Sequence, residues 1–572
     1  MKRPAARSKQ EAKRGNKPTR QTNEAVYEDS SDEIELQPPE PHESHPAWTL
    51  QFLQGDEASD SRGVGVDVAT GTLPSRGVGL DVATDAFSGR GVGLDVFAQS
   101  FQQQWTRLAV QRLVSSGFFG NPGRRVALQL WADCGGVGTA IVAGRAIARA
   151  LLEVHDICLD PLLHFYCDRD AVARRFVKQN MEPKHMAADM MQRNLQDGLY
   201  HCEKCSDNHE FPVGCIDLYV AGFPCTPWSR RGTRLGWDHP DVVPMKIGFK
   251  TIKKLQPAIW IYEVPEGVAD QRAGSTESGL DQIQVYIANI LGSDYFVNTA
   301  RAIDPTWFGF PIRRPRVFLC GWRADVCDPN VAGAPLRALI SEPILAPRDF
   351  LSFLGWHRSE DWSKVGEFPT VEDVAKLQQL GLTGCKCHEN PMELCPLHVC
   401  PANCGSCGRD KLRCKWRRQM FQFVSQHETL RRVEPEASSR LSYVQVMALN
   451  GLETPETPRV RNVLNVIAKL PENTPLCTTM CIVDTSQTVT MASVRRDGLV
   501  PTLTTRSKLF SFRSGRFLST TQLSVLMGFD VQAYDFAGTS ESWWRDRMGL
   551  CMRVSCLGSM LAAAIAPALS AS

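Results

Sequence analysis

Cys225 lies in the string GFPCTPWS, residues 222–229, between Pro224 and Pro227. Each proline fixes its own φ and restrains the residue before it, so the thiol sits on a stiff turn. Such a cysteine reads either as a nucleophile held in one place or as a buried structural thiol, and in isolation the second reading is the commoner one. Glu263 ends the apolar run AIWIY, residues 258–262, where the plainest reading is a solvated carboxylate at a strand end. Arg314 and Arg316 stand two apart in FGFPIRRPRVFLCG, residues 308–321. On a strand that spacing turns both guanidiniums to one face, which suits a phosphate or a carbonyl; the alternative is a basic sheet edge.

A second chemistry is written in thiols. Cys385, Cys387, Cys395, Cys400, Cys404, Cys407 and Cys414 fall within thirty residues, with His388 and His398 among them. Cys404-x-x-Cys407 is the best-spaced pair, Cys400 and Cys414 are plausible completing ligands, and Cys385, Cys387 and Cys395 suffice for a second site. This density favours zinc over disulfides. Lys411, Arg413, Lys415, Arg417 and Arg418 follow, with Trp416 among them, making this the best local candidate for a nucleic-acid surface. A smaller set, Cys202-x-x-Cys205 with His209 and Cys215, also has zinc spacing, although scattered thiols in an insertion explain it equally well.

The elements that must position these residues alternate between strand and helix. Val126–Trp131 reads as a strand, Asp133–Gly138 as a Gly-rich turn and Thr139–Glu153 as an Ala-rich helix, the opening of a Rossmann-like unit in which glycine allows a cofactor to approach closely. Leu162–Cys167 is a second strand with Asp168 at its end, where a carboxylate can accept both hydroxyls of a ribose. Ile216, Leu218, Tyr219 and Val220 form the short buried strand that Gly222 and Pro224 break, so Cys225 stands at a carboxyl end, where open α/β sheets bind ligands. The segment SRRGTRLGWDHP follows, flexible through Gly232 and Gly236 and basic through Arg230, Arg231 and Arg234.

The totals bound the rest. Lys+Arg number 64 against 62 Asp+Glu, so any basic face is local. No apolar core follows the basic start, as a signal peptide would require, and no run is long enough to span a membrane. The twenty cysteines therefore read as reduced thiols in an intracellular compartment. Residues 1–104 read as a disordered extension, basic over the first twenty and acidic and Pro-rich over 24–43. Lys2–Arg3 with Lys13–Arg14 suits nuclear import or a solvated tail. Copies of RGVGxDV begin at Arg62, Arg76 and Arg90, a spacing of 14 residues, too short for a repeat unit with its own core.

GFPCTPWS resembles the Pro-Cys motif of the cytosine-C5 DNA methyltransferases, and the other motifs of that family follow in its order. Trp131-Ala132-Asp133-Cys134-Gly135-Gly136 resembles the first motif, with Asp133 in place of a glycine. Asp168, Arg169, Ala173 and Asn180 resemble the second. Asp189 resembles the acidic residue that reads the adenine amino group. The basic segment after Cys225 resembles the family's mobile loop. Glu263-Val264-Pro265 stands where relatives have Glu-Asn-Val, and Ile312-Arg313-Arg314-Pro315-Arg316 where they have Gln-x-Arg-x-Arg. Leu499–Thr505, Arg516–Phe529 and Gly549-Leu550 (Gly-Asn in relatives) resemble the late motifs.

The resemblance implies an α/β, Rossmann-like class I methyltransferase fold with an inserted, cysteine-rich target-recognition region. Its expected layout is catalytic residues 105–322, recognition residues 323–480 with the zinc cluster, and catalytic residues 481–572. It implies S-adenosyl-L-methionine against Trp131–Gly136, Asp168, Arg169, Asp189, Met190 and Pro224, and catalysis by Cys225, Glu263, Arg314 and Arg316 on a cytosine flipped out of DNA; a nuclear location is expected from the basic N-terminal clusters, and no membrane partner from the lack of a spanning run. Two alternatives stay open at this point: the same chemistry on tRNA, and an impaired paralogue, altered at Asp133, Val264, Ile312 and Leu550, that acts as a zinc-bearing nucleic-acid-binding protein.

Overall fold

The computed structural model describes residues 92–229, 235–271, 276–354, 369–380, 441–455, 457–468, 481–487 and 494–571, with a few isolated positions between them. The basic N-terminus, most of the repeat, Arg230, Arg231 and Arg234, and the Cys385–Cys414 cluster with the basic run behind it lie outside the described residues.

The chain enters through α1 (Val92–Ser115). It then alternates β1 (Arg125–Asp133), α2 (Thr139–His155), β2 (Cys158–Cys167), α3 (Ala171–Met181) and β3 (His185–Ala187). A small hairpin, β4 (Leu199–Cys202) and β5 (Asp207–Glu210), precedes β6 (Leu218–Gly222), α4 (Val243–Leu255), β7 (Ile259–Pro265), α5 (Gly279–Leu291), β8 (Tyr295–Ile303) and β9 (Arg316–Arg323). Seven strands form one sheet in the order β3-β2-β1-β6-β7-β9-β8. Strands β3, β2, β1, β6 and β7 pair in parallel, and β9 runs antiparallel between β7 and β8. This is the doubly wound sheet expected from the motifs, with the order reversing at β1/β6, the position at which such sheets open a crevice.

Period-two alternation divides the sheet's side chains between two cores. Leu128, Leu130 and Ala132 of β1, Leu218 and Val220 of β6 and Ile259 and Ile261 of β7 face the layer built by α1, α2 and the C-terminal helix Val554–Ala571. Trp131, Tyr219, Trp260, Tyr262 and Val264 face α4 and α5. The C-terminal helix is sealed into the first layer, with Trp322 Nε1 donating to the Ala564 carbonyl at 2.8 Å. Among the described residues no single helix is long and apolar enough to cross a membrane.

Three expected boundaries move. The extension expected to run disordered to 104 already contains α1 from Val92, whose Phe101 and Trp105 are buried in the first core; an apolar stripe that pays off only against α2 and the last helix is hard to see in an isolated sequence. Residues after 322 do not leave the first layer at once, because Leu336, Leu339, Phe350 and Phe353 pack into the same core. The catalytic part does not resume cleanly at 481. A four-stranded sheet includes Ile482–Asp484, Val494–Arg495, Leu509–Ser511 and Arg516–Phe517. Its Ile482 and Leu509 face the first core, while Val483 and Phe510 face a third core with the helices Tyr443–Leu449 and Pro458–Ala468. Residues on both sides of the expected boundary at 481 thus contribute to one small sheet and its two flanking cores.

Candidate active site

The carboxyl ends of β1, β2, β6 and β7 surround one cavity. Cys134–Val137, Asp168, Arg169, Asp189 and Met190 line one side, and Phe223, Pro224, Cys225, Glu263, Arg314 and Arg316 the other. Arg547 and the turn Gly549–Met552 complete the wall.

On the first side the chain turns sharply after β1. Cys134, Gly136 and Gly138 have φ of 48°, 56° and 76°, and a Cβ on Gly135 would stand 2.6 Å from the Tyr166 ring. Gly136 and Gly138 use the freedom of glycine here, and Gly135 leaves room for the Tyr166 ring. Gly136 N donates to Asp168 Oδ2 at 2.8 Å and Asp170 N to Asp168 Oδ1 at 2.9 Å, so Asp168 is fixed by its neighbours' amides. Burial nevertheless raises its pKa above the ordinary carboxylate value, because hydrogen bonds from two amides only partly replace lost water. Asp189 caps its own short helical turn through Met191 N and pairs with Arg169 at 2.9 Å. Paired lone pairs and N–H groups of this kind fit the ribose hydroxyls and adenine amine of a nucleoside, so the residues present fit S-adenosylmethionine.

On the second side, β7 and β9 bring a carboxylate and a guanidinium together. In the antiparallel register Arg316 stands opposite Pro265, two residues beyond Glu263, so the two side chains share a face as diagonal neighbours. They pair at 2.5 Å, both largely shielded from solvent. Arg314 is in the loop before β9 rather than on the strand, a correction to the expected two-apart strand pair. It is fully buried and its guanidinium donates to the carbonyls of Leu503, Gly549 and Cys551 at 2.9, 3.1 and 3.1 Å. It therefore ties the turn at 549–551 to the cavity wall instead of offering a free fork to a phosphate. Burial and the neighbouring Arg316 lower its pKa to about 10, so it is still charged at neutral pH.

Four cysteines touch this cavity. Burial, reinforced by Asp133 and Asp168, pushes the Cys134 thiol far up; Cys167 is likewise raised, and Cys551 is pushed up to about 12. These three stay protonated. Cys225 is partly exposed on its proline-flanked loop, and its carbonyl accepts from Trp228 N and Ser229 N, which closes the turn beneath it.

Three expected contacts are not at the cavity. Trp131 and Ala132 are strand residues packed into the two opposite cores. Asp133 faces the α4/α5 side, where Arg193 and Asp133 form a buried two-pronged ion pair, with Tyr219 Oη donating to Asp133 Oδ2 at 2.6 Å. The carboxylate replacing the family's glycine thus leaves the turn open, because alternation along β1 points it away. Val264 and Ile312 are also in cores, fully buried, and only Leu550 of the four motif departures reaches the cavity rim. Sequence reading missed Phe223, Arg547, Cys551 and Met552 as wall residues; the proximity of the last three to Gly549-Leu550 was the available signal. Arg547 pairs with Asp170, which links this turn to the loop bearing Asp168.

Residues 176–337 match the family model for C-5 cytosine-specific DNA methylase. The chain is 30% identical over 110 residues to Type II methyltransferase M.BsuFI of Bacillus subtilis, covering 19% of this chain and 25% of that protein. It is 28% identical over 115 residues to Type II methyltransferase M.PspPI of Psychrobacter sp., covering 20% and 26% respectively. The chain thus spans about a quarter of the length of these curated relatives. Among solved structures, the Entamoeba histolytica methyltransferase EhMeth aligns over 77% of this chain and 98% of its own, at 9% identity and a TM-score of 0.35.

Proposed function

We propose that this chain methylates C5 of cytosine in DNA through a covalent adduct on Cys225, a reading supported by the match of residues 176–337 to the C-5 cytosine-specific DNA methylase model. The observation that carries the reading is that one cavity joins the Cys225 loop and the Glu263–Arg316 pair to the Gly135–Gly136 turn and Asp168. S-adenosylmethionine, when bound, supplies an electrophilic methyl group; Asp168, Asp189 and the turn after β1 would hold its nucleoside portion.

The chain's own residues do the remaining work. Cytosine C5 is a weak nucleophile. Addition of the Cys225 thiolate to C6 moves the ring's electron pair onto C5. Glu263, paired with Arg316, would hydrogen-bond the ring N3 and exocyclic amine as charge develops there. After the methyl group is in place, loss of the C5 proton returns the electron pair, the C6–S bond breaks and Cys225 is regenerated. A duplex hides C6 in its stack, so the base would leave the stack to reach Cys225. Three of the four motif departures sit in cores rather than in the cavity, which supports an active enzyme over an impaired paralogue. The Cys385–Cys414 cluster, on its spacing, belongs to this proposal as a zinc-bearing part of the recognition region.

Covalent trapping tests the reading. Duplex DNA carrying 5-fluorocytosine, incubated with the full chain and S-adenosylmethionine, should give a denaturation-resistant adduct, since fluorine at C5 blocks the last elimination. Cys225→Ser should abolish it. An adduct that persists in Cys225→Ser refutes the nucleophile, and trapping on tRNA but not on duplex DNA replaces the substrate.

A further inference from the structure

Between β3 and β6 the chain makes an excursion that the proposed reaction does not use. The hairpin β4–β5 turns through Glu203, Lys204, Cys205 and Ser206, with Ser206 at φ 58° and its N–H bonded to the Cys202 carbonyl at 2.8 Å. The turn brings Cys202 and Cys205 together, and the register, Tyr200 opposite His209 and Cys202 opposite Asp207, sets His209 diagonally across from Cys202. The adjoining strand β3 contributes His185. One ligand atom from each of His185, Cys202, Cys205 and His209 lies within 4.8 Å of all the others.

We propose that His185, Cys202, Cys205 and His209 form a structural zinc site that staples the hairpin to β3. Two thiolates and two imidazoles are the donor set that zinc takes in closed tetrahedral sites, with bonds of about 2.3 Å to sulfur and about 2.0–2.1 Å to nitrogen. Those lengths put neighbouring sulfur and nitrogen ligands about 3.5 Å apart, and Cys205 Sγ and His185 Nδ1 are 3.7 Å apart.

Two further observations are independent of that spacing. The first is an enclosed atom: His209 Nε2 is buried with no hydrogen-bond partner among the described residues. A buried, unmatched polar atom costs about 1–3 kcal/mol, and coordination removes the mismatch. The second is the setting of Cys202. Its sulfur accepts from Met186 N at 3.4 Å and from the N–H groups of Lys204 and Cys205. Amides converging on one sulfur are the outer partners expected of a thiolate ligand.

The sequence pointed to Cys215 as the fourth ligand. The fold replaces it with His185: Cys215 is exposed beyond the hairpin and donates to the Val213 carbonyl at 3.6 Å. The site also has a mechanical reach. Arg174 pairs with Glu203 of the turn at 2.8 Å and donates to the Asp168 and Arg169 carbonyls, and β3 leads directly into Asp189 and Met190 of the cavity wall. The metal thus braces the two loops that carry Asp168 and Asp189.

The test is metal analysis of the full chain purified without chelator, against variants that leave Cys385–Cys414 intact. Cys202→Ser/Cys205→Ser and His185→Ala should each lose one zinc per chain relative to the unaltered protein; Cys215→Ser should lose none. Cys205→His, which keeps four ligands, should retain the metal and guards against a variant that merely misfolds. Cobalt loading of the unaltered chain should give a thiolate charge-transfer band that weakens in Cys202→Ser/Cys205→Ser. Equal zinc content in the unaltered chain and in His185→Ala, or a Cys202–Cys205 disulfide in the native protein by mass spectrometry, overturns the assignment. Neither result bears on trapping by Cys225, so the two readings fail separately.

Discussion

Replacing Asp133 by Ala separates a structural carboxylate from a cofactor ligand. Asp133 and Arg193 have side chains 0% and 1% exposed, and the guanidinium also lies over the Phe165 and Trp131 rings at 5.1 and 5.4 Å. Removing the carboxylate strands a fully desolvated guanidinium, a change worth about 3–5 kcal/mol. The Tyr219 hydroxyl loses its acceptor as well, worth about 1–3 kcal/mol taken alone, but the losses share one network and do not add in full. We therefore expect Asp133→Ala to destabilise the catalytic region by about 4–6 kcal/mol, a large part of an ordinary domain's stability of about 5–15 kcal/mol. Asp133→Leu combined with Arg193→Met removes both charges and fills the space, and should recover most of that loss. Urea unfolding followed by tryptophan fluorescence is the assay, because Trp131 stacks on Phe165 within this cluster. Calorimetric titration with S-adenosylhomocysteine under conditions where the variant is folded should give unchanged affinity. A variant that keeps its stability to within about 1 kcal/mol and loses cofactor affinity would refute the buried-pair account and return Asp133 to the cofactor.

Asp168→Ala should weaken binding of S-adenosylhomocysteine by about 1.5–3 kcal/mol, the worth of charge-assisted hydrogen bonds, with DNA binding in a filter assay little changed. Gly549→Ala should destabilise the turn by about 1–3 kcal/mol, since its Cβ would stand 2.3 Å from the Thr504 carbonyl, and it should disturb a carbonyl that Arg314 holds; a thermal midpoint equal to that of the unaltered chain would show that the backbone there yields freely. Deleting residues 385–418 should weaken DNA binding and flatten its dependence on salt, since fewer phosphate contacts release fewer counterions, while calorimetric cofactor binding survives.

Much of this protein is legible in one dimension. The string GFPCTPWS places a thiol on a rigid loop because two prolines act locally, wherever the loop ends up. The runs ending at Cys167, Gly222 and Glu263 read as buried strands, and the residues at their ends face a crevice because doubly wound sheets open one there. Direction across the sheet is what the linear reading lacked. Whether Asp133 enters the turn or a core depends on which way β1's alternation falls, and that is decided by the packing of α4 and α5. Arg314 and Arg316 look equivalent as a spaced pair, yet one binds three carbonyls from segments about two hundred residues away and the other pairs with Glu263. His185 joins Cys202, Cys205 and His209 only because β3 runs beside the hairpin. Local stereochemistry travels with the chain, whereas burial, charge pairing and ligand sets are properties of neighbours, and neighbours are made by the tertiary fold.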